Sequence, residues 1–154
     1  MKVAIYSRGT DEEMALQLPG LMEALNKQKI EIVLLHQLPI NEYLNEQNIS
    51  FVQNNRELDS SIDFLISLGG DGTMLDAVTL VNNKNIPILG INFGRLGFLA
   101  GIGKNDLSSA VDALVNGTYL VDKRSLLHVE ANVPLFGKMP FALNEFALHK
   151  RDLS

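Results

Sequence analysis

The apolar run Ile62-Asp63-Phe64-Leu65-Ile66-Ser67-Leu68 ends directly in Gly69-Gly70-Asp71-Gly72-Thr73. A short apolar segment stopped by glycines reads as a buried strand feeding a tight loop. Glycine lets the backbone turn through positive φ and lets a ligand come close to the main chain. The N–H groups freed in such a loop, with those of a following helix, form a natural phosphate cradle. A carboxylate inside that cradle is electrostatically costly beside phosphate unless it acts as a base or helps to hold a cation. The combination points to phosphoryl transfer, with Asp71 as the candidate catalytic carboxylate. The simpler alternative is a glycine-rich turn in which Asp71 caps the next helix.

The same pattern recurs. The apolar strand Ile86-Pro87-Ile88-Leu89 opens into Gly90-Ile91-Asn92-Phe93-Gly94-Arg95-Leu96-Gly97-Phe98-Leu99. Around these loops strands and helices alternate. Residues 2–6 read as a strand, and residues 11–29 as a helix with Met14, Leu18, Leu21, Met22 and Leu25 at helical spacing, interrupted near Pro19 and Gly20. Strands over residues 30–36, 50–52, 62–68 and 86–91 follow, with helices over 41–48, 73–82 and 106–116, the last with Gly117 as its C-cap. The pattern predicts an α/β fold with an open, mostly parallel, Rossmann-like sheet, and ligands beyond the carboxyl ends of the strands. After the last helix the character changes, and residues 119–133 and 140–150 read as strands. The predicted organisation is an α/β nucleotide-binding domain over residues 1–117, then the first strands of an all-β domain over 118–154. Two terminal strands without further partners finish a sheet poorly.

Composition narrows the partners. With 154 residues, 46% of them hydrophobic, the chain can bury one sizeable core. Zero cysteines leaves no disulfide or thiolate metal site and suits the cytoplasm. The net charge of −5 argues against a broad nucleic-acid surface. No apolar run approaches the ~20 residues that span a bilayer, so no membrane partner is expected. His36, His128 and His149 are scattered without ligand spacing, and no metal-binding residue is assigned.

A third segment, Leu143-Asn144-Glu145-Phe146, sets an amide beside a carboxylate. Together the three segments resemble the NAD kinase family: a GGDGT loop, a glycine-spaced Asn-x-Gly-x-Leu-Gly-Phe run, then an Asn-Glu pair. The resemblance implies transfer of the γ-phosphoryl of ATP to the 2′-hydroxyl of the adenosine ribose of NAD, with a divalent cation, magnesium foremost. Asp71 would orient and deprotonate that hydroxyl. Gly70 and Gly72 would bring main-chain amides to phosphate, and Asn144 and Glu145 would bind dinucleotide hydroxyls. Phe98 would stack near the adenine or, alternatively, belong to the core. Asn92 would bond ligand, staple its loop, or both. Thr73 would bond phosphate or open the helix as N-cap, the cap being the simpler role. Arg8 and Arg95 suit a phosphate counter-charge, or are ordinary loop arginines. Asp76, one turn beyond Asp71, reads as a surface position or as support for a metal. The family further implies a homodimer or homotetramer, and a downstream segment that completes the pocket. The 154-residue chain alone is therefore expected to be weak or inactive. Competing readings are a lipid kinase of the diacylglycerol or sphingosine kinase type, whose Asn-Gly after the loop is missing from residues 74–80, a phosphofructokinase, and a non-catalytic nucleotide sensor.

Overall fold

Six parallel strands form the sheet that organises the first of two compact units, Met1–Leu120 and Val121–Ser154. The computed structural model describes residues 1–9, 12–35, 48–52, 58–94, 97–133, 135–137 and 139–149. The helix expected over 41–48 falls almost wholly outside the described residues, as do His36 and Arg95. In chain order the strands are β1 (Lys2–Tyr6), β2 (Glu31–Leu35), β3 (Ile49–Val52), β4 (Phe64–Leu68), β5 (Ile88–Asn92) and β6 (Ile102–Gly103). The helices are α1 (Glu12–Lys27), α2 (Asp71–Val81) and α3 (Leu107–Asn116). The strand order is β3-β2-β1-β4-β5-β6, the expected Rossmann-like arrangement. Its direction of progress reverses between β1 and β4, where doubly wound sheets bind ligands.

The strands read as continuous apolar runs because both faces of the sheet are covered. Val3, Ile5, Ile32, Leu34, Ile66, Leu68 and Ile91 pack with α1 and with Leu107, Val111 and Leu114 of α3. Their alternates, Ala4, Tyr6, Val33, Leu35 and Leu65, pack on the other face with Ala77 and Val81 of α2. Ser67 breaks the pattern. It is fully buried on β4, and its hydroxyl has no hydrogen-bond partner among the described residues. Ser67→Ala should therefore raise stability by about 1 kcal/mol, because it removes an unpaired buried hydroxyl. A urea melt of the two proteins at unchanged m-value is the check, and a destabilised variant would show that the hydroxyl is satisfied.

Three expectations need correction. Helix α1 runs unbroken through Pro19 and Gly20. Met14, Leu18, Leu21, Met22 and Leu25 are all buried along it, each worth about 1.5–3 kcal/mol on transfer. That sum outweighs the ~3 kcal/mol penalty of an interior proline and the ~1 kcal/mol of glycine. Pro19 lies on the exposed face, where the carbonyl it deprives of a partner reaches water. Helix α2 begins at Asp71 with Gly70 as its N-cap, so Thr73 lies in the first turn and is not the cap. In the second unit only β7 (Leu127–His128) and β8 (Phe141–Ala142) pair, antiparallel, where long strands were expected. Extended chain becomes sheet only where a neighbour takes its backbone hydrogen bonds, and most of the described residues here face solvent. Gly117 ends α3 as expected, in the left-handed conformation at φ +67°, with the Thr118 amide donating to the Ala113 carbonyl.

Candidate functional site

Both glycine loops leave the carboxyl edge of the sheet from adjacent strands. The Gly69 amide donates to the Ile91 carbonyl at 2.9 Å, tying the end of β4 to that of β5. Gly69 has φ +142°, and a Cβ there would lie 2.4 Å from Thr73 Oγ1, so no other residue fits. The sharp turn sets Asp71 at the first position of α2, where a carboxylate meets the positive end of the helix dipole.

The Asp71 side chain does not cap its own helix. It crosses to the second loop, where Oδ2 accepts from the Phe98 amide at 2.9 Å. Oδ1 accepts from the amides of Leu99 at 2.9 Å and Ala100 at 3.1 Å. These bonds, that of Leu99 foremost, then Phe98 and Ala100, hold the carboxyl below the usual carboxylate range. The fit depends on Gly97. A Cβ on Gly97 would stand 2.1 Å from Asp71 Oδ1 and 2.7 Å from Oδ2. A carboxylate has about four acceptor positions, so three amides leave one, on Oδ2, for a further donor.

Asn92 closes β5 and is buried, and its Oδ1 accepts from the Gly94 amide at 3.1 Å. Its Nδ2 lies 3.7 Å from where a Gly70 Cβ would be, so the side chain sits between the two loops. Phe98 is 99% exposed, so it is no core residue. Thr73 is buried behind Gly69. Gly70, Gly72, Thr73, Asn92 and Phe98 are thus gathered with Asp71 at one end of one sheet. Asn144 and Glu145 are exposed just beyond β8, on the second unit.

Sequence reasoning missed part of the arrangement at the end of β1. Arg8 grips the carboxylate of Asp76 through Nε and, at 2.7 Å, through Nη2. Tyr6 donates its hydroxyl to the same carboxylate at 3.1 Å. Asp76 is therefore no free surface residue but the shared acceptor of Arg8 and Tyr6. Its carboxyl is held low by Arg8, and burial, then Asp76, pushes the Tyr6 phenol up. The available signal was topological: the residues after β1 must fall beside the loop after β4, because the two strands are parallel neighbours.

Residues 7–119 match the family model of the ATP-NAD kinase N-terminal domain. The chain belongs to the NAD kinase family. Along its whole length it is 38% identical to the NAD kinase of Cytophaga hutchinsonii, and it covers 54% of that protein. It is 32% identical to the NAD kinase of Flavobacterium psychrophilum, covering 53% of it with 99% of the chain. A shorter match to the Methanothermobacter thermautotrophicus NAD kinase is 44% identical over 89 residues, 58% of this chain and 30% of that protein. The chain thus spans about half the length of the first two relatives. A crystal structure of yeast NADH kinase complexed with NADH shares the fold, with a TM-score of 0.61 over 75% of this chain and 36% of that one, at 19% identity. The NAD kinase family chain has, among its described residues, no helix long and apolar enough to cross a membrane.

Proposed function

We propose that this chain carries the catalytic α/β domain of an NAD kinase, which transfers the γ-phosphoryl of ATP to the 2′-hydroxyl of the adenosine ribose of NAD. The observation that carries this reading is the Asp71 carboxylate, stapled by three amides beside the amino end of α2 with one acceptor position left over. That position accepts the hydrogen bond of the attacking hydroxyl. The new bond joins the ribose oxygen to the γ-phosphorus, the bond to the β,γ-bridging oxygen breaks, and ADP leaves. Because its carboxyl is held low, Asp71 is a weak base. Its work is to aim the hydroxyl and to take the proton late, which suits a loose transition state that asks mainly for alignment and charge neutralisation.

The first turn of a helix leaves its amides without intrahelical acceptors, so those of Asp71 and Gly72 at the start of α2 offer donors for phosphate oxygens. Phe98, exposed beside the staple, offers a face for the adenine ring. Asn144 and Glu145 offer an amide and a carboxylate to ribose hydroxyls. Among the described residues no group of three or more carboxylates or imidazoles stands ready for a cation. Magnesium is expected to arrive on the triphosphate, and no step here runs through it. We extend the proposal to a cytoplasmic homodimer or homotetramer.

The test is NADP formation from NAD, ATP and magnesium by the full-length protein and by the 154-residue chain. Turnover by the full-length protein, weak or lost in the shorter chain, is the expected result. Absence of NADP from both, with phosphate appearing on a lipid diol, would overturn the reading.

A further inference from the structure

The Arg8 guanidinium is held in an arrangement that stability alone does not explain. It is an exposed ion pair, with 57% of the Arg8 side chain accessible, and such pairs contribute little to folding. Yet two further groups are committed to it. The Tyr6 hydroxyl donates to the same Asp76 Oδ2 that takes Arg8 Nε, and the Ser7 hydroxyl donates to the Gly9 carbonyl at 2.7 Å, folding the loop that carries Arg8. Asp76 takes Nε and Nη2, and the remaining edge, Nη1, is turned toward the glycine loop. Nη1 lies 2.8 Å from where a Cβ of Gly72 would stand, so a side chain at 72 would collide with the guanidinium. The loops after β1 and β4 meet where the strand order reverses, at the ligand-binding end of this sheet class. A cation oriented there, against the main chain of the second helical residue of α2, is set to meet an anion that also reaches those amides. A polyphosphate needs such a charge, because the loop itself contributes the anionic Asp71.

We propose that Arg8 contacts the phosphates of the nucleoside triphosphate through Nη1, with Asp76 and Tyr6 as the residues that position it. This rests on the glycine loop being the triphosphate site, as in the function proposed above. Arginine suits the task because its planar fork bonds a carboxylate with one edge and a phosphate with another, which lysine cannot do.

The experiment is calorimetric titration of the full-length protein with magnesium-ATP, inorganic tripolyphosphate and NAD, alongside melting temperature and NADP formation. Arg8→Ala should weaken ATP and tripolyphosphate about tenfold and leave NAD within about twofold, as expected for one charge-assisted contact. Arg8→Lys should recover part of the loss. Asp76→Asn should lose less than Arg8→Ala, and the double variant should be no worse than Arg8→Ala. Unchanged tripolyphosphate binding by Arg8→Ala, equal weakening of NAD, or loss of binding only together with collapse of the melt would each overturn the proposal. So would a wild-type protein that binds no tripolyphosphate. Triphosphate binding that depends on Arg8 without any NADP formation would overturn the kinase reading and leave this one standing.

Discussion

Asp71→Asn is expected to lower NADP formation by about a thousandfold, within the range for a positioned proton acceptor, while nucleotide affinities change by less than about tenfold. The substitution is isosteric, so what it removes is specific. An asparagine oxygen can still accept from Leu99 and Ala100, but its NH2 then meets the Phe98 amide, donor against donor. The variant also lacks the last acceptor position on Oδ2 for the substrate hydroxyl. Turnover should therefore fall further than binding, with a modest drop in melting temperature from the weakened staple. Near-normal turnover would remove Asp71 from the mechanism. Intact binding in a protein that never turned over would instead favour the nucleotide sensor.

The lowered pKa of Asp71 fixes the sign of its pH dependence. A carboxyl whose folded pKa lies below its unfolded value of about 4 stabilises the protein fully above that value and loses the contribution as pH falls through the folded pKa. Between pH 5 and 8, roughly, the staple is ionised and constant, so neither stability nor rate should show a limb from this residue. A limb of kcat/KM near neutrality that disappears in Asp71→Asn would mean a raised pKa, contrary to the three-amide geometry.

What was legible in the sequence was what local pattern controls. Runs such as Val3 to Tyr6 and Phe64 to Leu68 had to be buried strands, and the glycines after Leu68 had to be a turn, so the parallel sheet with its glycine loops at the carboxyl edge followed. Errors arose where tertiary burial outbid local preference, as at Pro19. They also arose where a pattern needed a partner, as in the long strands expected after Tyr119. The Asp71 staple spans 27 residues or more, and nothing local marks it, because its donors are backbone amides that any residue carries. Arg8 and Asp76 were each visible as charges. Their pairing required knowing that β1 and β4 are neighbours.

Gly97→Ala should do nearly as much damage as loss of the carboxylate itself, although residue 97 is exposed and carries no functional group. What requires glycine at 97 is space. The Gly97 Cα is approached by the Asp71 carboxylate, and an added methyl would overlap Oδ1, Cγ and Oδ2 at 2.1, 2.5 and 2.7 Å. Either the carboxylate swings away or residues 97–100 withdraw, and in both cases three amides lose their acceptor. Overpacking of this kind costs about 1–3 kcal/mol, read as a lower urea midpoint. Turnover should fall by at least about a hundredfold, since the proposed acceptor for the ribose hydroxyl would be displaced by about an ångström or more. The decisive comparison is the double variant Asp71→Asn with Gly97→Ala. Both changes break the same staple, so their effects on turnover should fall well short of additive. Full additivity would mean that Gly97 acts apart from Asp71, and the close approach of the two loops would lose its catalytic meaning.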